Sequence, residues 1–200
     1  LDKLIEITNA KTLVILGDVK HKVPGASIQE LRDIPKFLEY LSTKVKVIIT
    51  KGNHDDFLET IVPKNVKVYG SRGFKIGKYG FLHGHAWPGK KLIECDYLLM
   101  GHMQPSIEFE DKMGYKSRQL VLLKGKINTE LVKKKYKVRS TGKLDVIILP
   151  AFNQFVGSLN VMKRDDVTGP FSKDVLNLEK MKVYLLDGTY LGILKDIKSE

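Results

Sequence analysis

The sequence contains a single cysteine, Cys95, and a single tryptophan, Trp87. One thiol can form neither an internal disulfide nor a cysteine-rich zinc site, so a metal site here would have to use histidine, aspartate and asparagine. Long apolar runs are also missing, since stretches such as 12–16 and 146–149 are far shorter than the ~20 residues of a membrane span. Nothing near Leu1 resembles a signal peptide. We therefore expect a cytoplasmic protein with no membrane partner.

Acidic residues are few relative to basic ones: 23 Asp and Glu against 34 Lys and Arg give a net charge of +11. This excess attracts anionic ligands such as phosphate esters or nucleic acid, but it identifies none of them. With 42% hydrophobic and 28% charged residues, the composition is that of a globular chain and excludes disorder. No internal repeat or linker interrupts the sequence, so we predict a single domain over residues 1–200.

The apolar pattern changes near Asn65. Before this residue, helical and strand-like patterns alternate, which is typical of parallel β/α units. After it, short β-rich runs separated by glycines indicate antiparallel or mixed pairing, and Asp187-Gly188 predicts a hairpin. The predicted strands are 12–16, 45–50, 66–69, 74–76, 79–82, 97–100, 119–123, 144–149 and 181–186. The pattern predicts an α/β (α+β) fold of two packed mixed β-sheets flanked by helices.

Helix signals are clearest in the first quarter of the chain. Residues 1–8 have a helical pattern, and Ser27 with Glu30 three residues later resembles a capping box at the start of a second helix. Pro35 predicts an interruption of that helix, because proline lacks the backbone N–H and clashes with the preceding turn. We expect the helix to restart with Asp33 as its N-cap.

Small polar clusters follow the apolar runs at four places along the chain. They are Gly17-Asp18, Gly52-Asn53-His54-Asp55, His83-Gly84-His85 and Gly101-His102-Met103-Gln104. Four of the five histidines lie in these clusters. Because ligands of α/β sheets bind in the crevice at the carboxyl ends of the strands, we expect the clusters to converge.

The residue types in these clusters suit a divalent cation. Asp18 supplies an anionic oxygen that can bridge two ions, Asn53 supplies a carbonyl oxygen, and His83 and His102 supply imidazole nitrogens. Mixed nitrogen and oxygen donors without thiolate favour manganese, with zinc, iron, nickel or cobalt as alternatives, over copper(I).

These four clusters resemble, in order and approximate spacing, the successive motifs of the calcineurin-like metallophosphoesterases. Gly17-Asp18-Val19-Lys20-His21, Gly101-His102-Met103-Gln104-Pro105 and Leu149-Pro150-Ala151-Phe152-Asn153 further resemble the small archaeal phosphoesterases and their bacterial relatives associated with DNA ligase. The resemblance extends from Leu1 to about Lys195. It implies a four-layer β-sandwich flanked by helices, with two metal ions at its edge and hydrolysis by a metal-bound hydroxide.

The resemblance also implies roles for individual residues. Asp18 would bridge both ions, and one of these ions would be completed by Asn53, His83 and His102. His54 would act beside the leaving group as the catalytic residue that neutralises charge or donates a proton, with Asp55 orienting its ring.

Two departures from the family pattern concern the second ion. The family opens with a strand carrying Asp-x-His, which ligates that ion, and this chain shows no such segment before Gly17-Asp18. Gln104 stands where the family usually has histidine, and it is an expected but weaker ligand. We therefore expect a domain that lacks its first strand and first metal motif, with one firmly bound ion and a second that is weak or absent.

The function predicted from the four clusters and the family resemblance is metal-dependent hydrolysis of phosphate esters, mainly phosphodiesters. One alternative is a catalytically impaired relative that serves as a protein-interaction module. The other is a nucleic-acid processing or binding factor, favoured by the net charge of +11. The basic tract Lys133–Lys137 with Tyr136 is predicted to be a solvated loop or hairpin rather than a nucleic-acid site. The longer basic stretch Lys133–Lys143 and the segment Lys163–Lys173 are predicted loops.

Several residues near the clusters keep two interpretations. His85 faces the same side of its strand as His83 and is either a group close to the metals or one that faces substrate. Trp87 is either an anchor packed on the core or a wall of the substrate cleft. Lys20 and His21 could together receive a phosphate, although an exposed loop is the favoured interpretation.

Overall fold

The computed structural model describes residues 1–153, 155–163 and 175–197. Its strands form two sheets, one of three strands and one of nine, with helices beside them. The fold is therefore the predicted mixed α/β arrangement of two sheets flanked by helices. Within the described residues, every helix is too short or too polar to cross a membrane.

The first sheet is parallel throughout and has the order β1-β2-β3. Its strands are β1 (Thr12–Ile15), β2 (Lys46–Thr50) and β3 (Lys67–Tyr69). Helix α1 (Asp2–Thr8) precedes β1, and α2 (Ile28–Ser42) connects β1 to β2. The last four residues of β2 are all buried, as expected of a central parallel strand covered on both faces.

Helix α2 begins at the predicted capping box, in which the Ser27 and Glu30 side chains each bond the other residue's backbone amide. The predicted break at Pro35 is wrong, because α2 continues through it to Ser42. Ile34, Leu38 and Leu41, which flank Pro35 at helical spacing, are buried and pack on the first sheet. Burial of this apolar face offsets the hydrogen bond that proline removes, so Asp33 lies inside the helix rather than at a new start.

The second sheet has the order β10-β7-β8-β9-β6-β5-β4, with β11 pairing both β8 and β12. Its strands are β4 (Phe74–Ile76), β5 (Tyr79–Leu82), β6 (Tyr97–Met100), β7 (Pro105–Glu110), β8 (Lys116–Lys126), β9 (Asp145–Ile148), β10 (Leu159–Asn160), β11 (Lys182–Leu185) and β12 (Tyr190–Ile193). Strands β5, β6 and β9 are parallel neighbours, whereas β8 runs antiparallel to β7, β9 and β11. The predicted hairpin at Asp187-Gly188 joins β11 and β12.

One face of the second sheet forms the larger core. Leu98 and Met100 of β6 are buried there beside Val146 and Ile148 of β9, at the alternate positions that a one-sided core requires. Cys95 is fully buried in the same cluster, as a small apolar residue. Helix α3 (Thr129–Tyr136) covers this core through Val132. The predicted loop at Lys133–Lys143 is therefore wrong over its first four residues, which are helical.

Two strands were not predicted. β7 begins at Pro105 and ends in polar residues, and β10 has only two residues, so neither has a strong strand pattern. Both are added to the sheet by pairing with distant segments, β7 with β8 and β10 with β7. Of the predicted loop at Lys163–Lys173, residues 164–173 lie outside the described residues.

Glu30 also orders the loop that leads from β1 into α2. Its carboxylate accepts hydrogen bonds from the backbone amides of His21, Lys22 and Ser27 and from the Ser27 hydroxyl. Burial opposes ionisation of Glu30, but these hydrogen bonds outweigh it and lower the pKa from its ordinary value of 4.5 to about 2. The ionised carboxylate is therefore the form that stabilises the loop.

Glu30→Ala is expected to lower the free energy of unfolding by about 1–2 kcal/mol at neutral pH, because it removes a helix cap and several hydrogen bonds. Since folding lowers the pKa of Glu30, its contribution is complete above pH 4.5 and is lost as the pH falls toward about 2. Urea unfolding of wild type and variant at a series of pH values measures this difference. Glu39→Ala, on the exposed face of the same helix, is the control. An equal loss of stability in both variants would contradict the role given to Glu30.

Candidate metal centre

The four polar clusters meet at one edge of the molecule because each follows the carboxyl end of a strand. Asp18 follows β1, Asn53 follows β2, His83 follows β5 and His102 follows β6. The two sheets approach each other here, and the ring of His83 contacts the backbone carbonyl of Leu16. The structure therefore brings together side chains up to 84 positions apart, from Asp18 to His102.

His83 is at the centre of this group. Its Nε2 atom lies 3.2 Å from Asp18 Oδ2, 3.2 Å from Asn53 Oδ1 and 3.1 Å from His102 Nδ1. One ligand atom from each of Asp18, His83 and His102 lies within 4.8 Å of the others. Two ligand atoms bound at right angles about 2.2 Å from one ion would themselves be ~3.1 Å apart, so these spacings fit a shared cation.

The orientation of the His83 ring determines which of its nitrogens faces the site. Its Nδ1 atom lies 2.6 Å from the Leu16 carbonyl oxygen, which can only accept, so Nδ1 carries a proton and Nε2 is the nitrogen that faces Asp18 and Asn53. Asp18 Oδ2 and Asn53 Oδ1 are acceptors. A divalent ion could bind both oxygens and, in place of a proton, the lone pair of Nε2.

The acid–base properties of the site agree with this arrangement. Burial raises the pKa of Asp18, but the hydrogen bond and charge of His83 outweigh burial, so the pKa lies below its ordinary value. Burial lowers the pKa of His102 to about 4, helped by the neighbouring His83 and His85 rings. At neutral pH the site therefore offers an anionic oxygen and a neutral imidazole, the forms in which these residues bind metals.

Two glycines allow the strand ends to approach this closely. Gly17 has φ of +89°, and a Cβ built there would lie 2.6 Å from the Gly52 nitrogen and 2.7 Å from His83 Nδ1. A Cβ at Gly52 would overlap the Asp18 carboxylate. Any side chain at either position would push apart the groups that form the site.

Asp55 does not orient His54, which corrects the contact expected from the sequence. The Asp55 carboxylate is fully buried and accepts hydrogen bonds from four backbone amides. The donors are Asp18 at 2.7 Å, Val19 at 2.9 Å, Lys20 at 3.3 Å and Gly52 at 2.8 Å. Because these amides belong to the loops after β1 and β2, Asp55 joins the two loops that carry Asp18 and Asn53.

The His54 ring is held by a different partner. Its Nδ1 atom donates to the backbone carbonyl of His21 at 2.7 Å, and its backbone amide donates to Asp18 Oδ1 at 3.0 Å. The sequence offers no signal for the His21 contact, because a backbone carbonyl is present at every residue. The imidazole of His54 is thus oriented next to Asp18 with its Nε2 atom left for other contacts.

A family model for calcineurin-like phosphoesterases matches residues 1–149. The chain belongs to the calcineurin-like phosphoesterase family. Members of this family generally use divalent metals, and the convergence of Asp18, His83 and His102 fits that chemistry. A search of the curated proteins found no match.

Solved structures similar to this calcineurin-like phosphoesterase include a bacterial nuclease and a Vps29 variant. The Pseudomonas putida nuclease MPE is 19% identical, over 92% of this chain and 71% of that chain, with a TM-score of 0.53. This likeness is in the fold. A Vps29 single mutant from Entamoeba histolytica is 18% identical over 90% of this chain and 94% of that chain, with a TM-score of 0.29.

Three further residues of the phosphoesterase lie close in sequence to the candidate ligands. The ring of His85 lies 5.3 Å from that of His83 and 5.9 Å from that of His102, and its Nδ1 atom is buried with no hydrogen-bond partner in the described part of the chain. The backbone of Gln104 bonds Gly101 and Leu159, so the turn after β6 is held in place while the Gln104 side chain stays a predicted ligand. Trp87 packs on the core of the second sheet, which agrees with the anchoring interpretation.

Lys20 does not receive a phosphate. Its side chain is buried, and its ammonium group donates to the backbone carbonyls of Lys22 and Gly25 and to the Asp56 carboxylate. All three of its donors are thus used inside the phosphoesterase, where they fasten the loop after β1. His21, by contrast, is exposed as expected.

Proposed function

We propose that this chain hydrolyses phosphodiesters with one firmly bound divalent cation, held by Asp18, Asn53, His83 and His102. Family membership identifies a metal-dependent phosphoesterase in general terms. The observation that supports the finer proposal is the meeting of Asp18 Oδ2, Asn53 Oδ1 and His102 Nδ1 around His83 Nε2. Manganese is the proposed metal, because the donors are mixed oxygen and nitrogen without thiolate.

A divalent cation in this site would act as a Lewis acid toward phosphoryl oxygens and lower the pKa of water. The protein residues supply its position. Leu16 fixes the tautomer and orientation of His83 through a 2.6 Å hydrogen bond. Asp55 fixes the backbone on which Asp18 and Gly52 lie. The site is thus ordered before any ligand arrives, which reduces the reorganisation required during the reaction.

His54 is the proposed acid beside the leaving group. Its Nδ1 proton is committed to the His21 carbonyl, so Nε2 can exchange a proton with a bound ester. A phosphodiester as the favoured substrate agrees with the nuclease named among the structural neighbours.

Manganese titration and a hydrolysis assay test the proposal on the full chain. Isothermal titration calorimetry should show one tight manganese site. Manganese should then support hydrolysis of bis(4-nitrophenyl) phosphate at a higher rate than that of 4-nitrophenyl phosphate, and a chelator should abolish both. Binding without hydrolysis of either ester would contradict an enzymatic function and favour an interaction module.

His54→Ala is expected to lower kcat for bis(4-nitrophenyl) phosphate by about 10²- to 10⁴-fold, the usual contribution of a positioned acid. Its backbone amide, which bonds Asp18, is retained. Manganese affinity measured by calorimetry should therefore stay within about threefold of wild type. A loss of affinity matching the loss of rate would show that His54 acts on the metal rather than on the leaving group.

A further inference from the structure

Residues 124–143 form a strongly basic segment. They contain eight lysine or arginine residues and one acidic residue, Glu130, a net charge of +7 out of +11 for the whole chain. One lysine of this segment, Lys133, pairs with Glu130 at 2.8 Å. The other seven are exposed: Lys124, Lys126, Lys134, Lys135, Lys137, Arg139 and Lys143. In the described part of the chain, none of these seven forms an ion pair.

Ordinary helix stabilisation explains only part of this charge. Lysines in the last turn of a helix interact favourably with its dipole, which accounts for those at the end of α3. It does not account for Lys124 on β8, which lies directly opposite Lys182 of β11. Like charges at opposed positions of neighbouring strands destabilise a sheet, and neither lysine has a carboxylate partner among the residues described. An external anion would relieve this repulsion.

The basic segment has an end next to the metal centre. The Lys135 ammonium lies 5.0 Å from the centre of the Trp87 ring, and the Tyr136 ring lies 6.1 Å from it. The Tyr136 hydroxyl donates to the Pro88 carbonyl. Trp87 is two residues from His85, so their Cα atoms are at most about 7 Å apart. The carboxyl end of α3 is therefore anchored to the loop that leaves the site.

The other end of the segment lies at the amino ends of the parallel strands of the second sheet, opposite the end that carries the metal ligands. Lys126 lies opposite Asp145 in the strand register, at the amino end of β9. The metal ligands, by contrast, follow the carboxyl ends of the parallel strands. A surface cleft of about 480 Å³ opens there, lined by Lys126, Lys133, Lys143, Thr129, Ser140 and Thr141, with Asp145 as its acidic member. Helix α3 has eight residues and spans ~12 Å between the two ends.

We propose that the basic segment binds the sugar-phosphate backbone of a nucleic-acid strand and directs that strand toward the metal centre. This inference rests on the proposed function for the cleavage step and names its substrate class. Evenly spaced phosphates match a path of unpaired cations that runs from the cleft along α3 to Trp87. The lysines extend from the cleft at one end of α3 to Trp87 at the other rather than surrounding one small pocket, so the binding is expected to be largely independent of base sequence.

Fluorescence anisotropy with a labelled single-stranded DNA tests the proposal, in a chelator so that nothing is hydrolysed. The test variant is the triple substitution Lys134→Gln, Lys135→Gln and Lys137→Gln, since glutamine keeps the helix propensity. The control is Lys3→Gln, Lys36→Gln and Lys64→Gln, three exposed lysines in the first third of the chain with the same loss of charge.

The test variant should bind the DNA about 10- to 100-fold more weakly at about 0.1 M salt, and its plot of log affinity against log salt should be less steep by about 2. The control should stay within about threefold of wild type. Equal weakening of DNA binding in both variants would show that the effect comes from the loss of net charge alone and would overturn the proposal. Unchanged binding in the test variant, or tighter binding of the wild type to phosphatidylserine vesicles than to DNA, would overturn it as well.

The two proposals fail in different measurements on the wild-type chain. If DNA binding in chelator is absent while manganese supports hydrolysis of bis(4-nitrophenyl) phosphate, the basic segment has no nucleic-acid role and the proposed function stands. If DNA binds as described but the small diester is never hydrolysed, the proposed function is wrong and the surface stands.

Discussion

Replacing Asp55 with alanine is expected to lower the free energy of unfolding by about 3–5 kcal/mol. The substitution leaves four backbone amides in the loops after β1 and β2 without their acceptor, and each buried unpaired amide costs about 1–3 kcal/mol before the loops relax. The carboxylate is fully buried, so water cannot easily replace it. Urea denaturation followed by circular dichroism measures the change.

Asp196→Ala removes an exposed carboxylate and is the matched control, with an expected change of at most about 0.5 kcal/mol. Asp55→Asn distinguishes the two roles considered for this residue. Its amide keeps one acceptor oxygen but turns an N–H toward the backbone donors, so we expect most of the destabilisation to remain. If Asp55→Ala instead retained full stability and lost only catalytic rate, Asp55 would be a catalytic residue and the loop-joining role would be wrong.

Replacing His83 with alanine is expected to weaken manganese binding by at least about 100-fold, which exceeds the usual effect of losing an outer-sphere partner. The physical reason is that Asp18, Asn53 and His102 all converge on His83 Nε2, so its removal takes away the central donor. Hydrolysis of bis(4-nitrophenyl) phosphate should fall to the rate measured without metal. Calorimetric titration with manganese provides the affinity independently of turnover.

His83 is buried, and its loss also leaves the Leu16 carbonyl unpaired, so the variant needs a second test that is independent of folding. His102→Ala, at a half-buried position, should produce a similar loss of affinity with a smaller change in stability. His21→Ala is the control, because its side chain is exposed and its backbone carbonyl is kept. Manganese affinity that survives in both the His83 and His102 variants would rule out this metal centre.

Much of the fold could be predicted because strong local patterns agree with the tertiary structure. The apolar runs ending at Ile15, Thr50, Leu82 and Met100 are strands, and polar clusters follow each of them. Parallel strands bring their carboxyl ends to one edge, so the convergence of distant clusters could be expected without knowing their contacts. Strand β7 could not be predicted in this way, because it begins with proline and ends in polar residues. It forms a strand because β8 pairs with it.

Errors arose where a local rule met a stronger non-local interaction. Pro35 weakens α2, but the buried side chains of Ile34 before it and of Leu38 and Leu41 after it keep the helix intact. The family resemblance implies that Asp55 orients the His54 ring, whereas the donors to its carboxylate include amides 35 to 37 residues earlier. Lys20 was expected in an exposed loop, with phosphate binding as the alternative, but its side chain is buried by the loop after β1.

By itself the sequence determined which residue types are available for chemistry, that they follow strand ends, and that the chain carries a large positive charge. Only the tertiary structure decided which atoms meet: the three ligand atoms around His83 Nε2, the amides around Asp55, and the basic helix against Trp87. The physical reason is that strand and helix patterns depend on neighbouring residues, whereas hydrogen bonding and coordination depend on distances of about 3 Å between segments far apart in the chain.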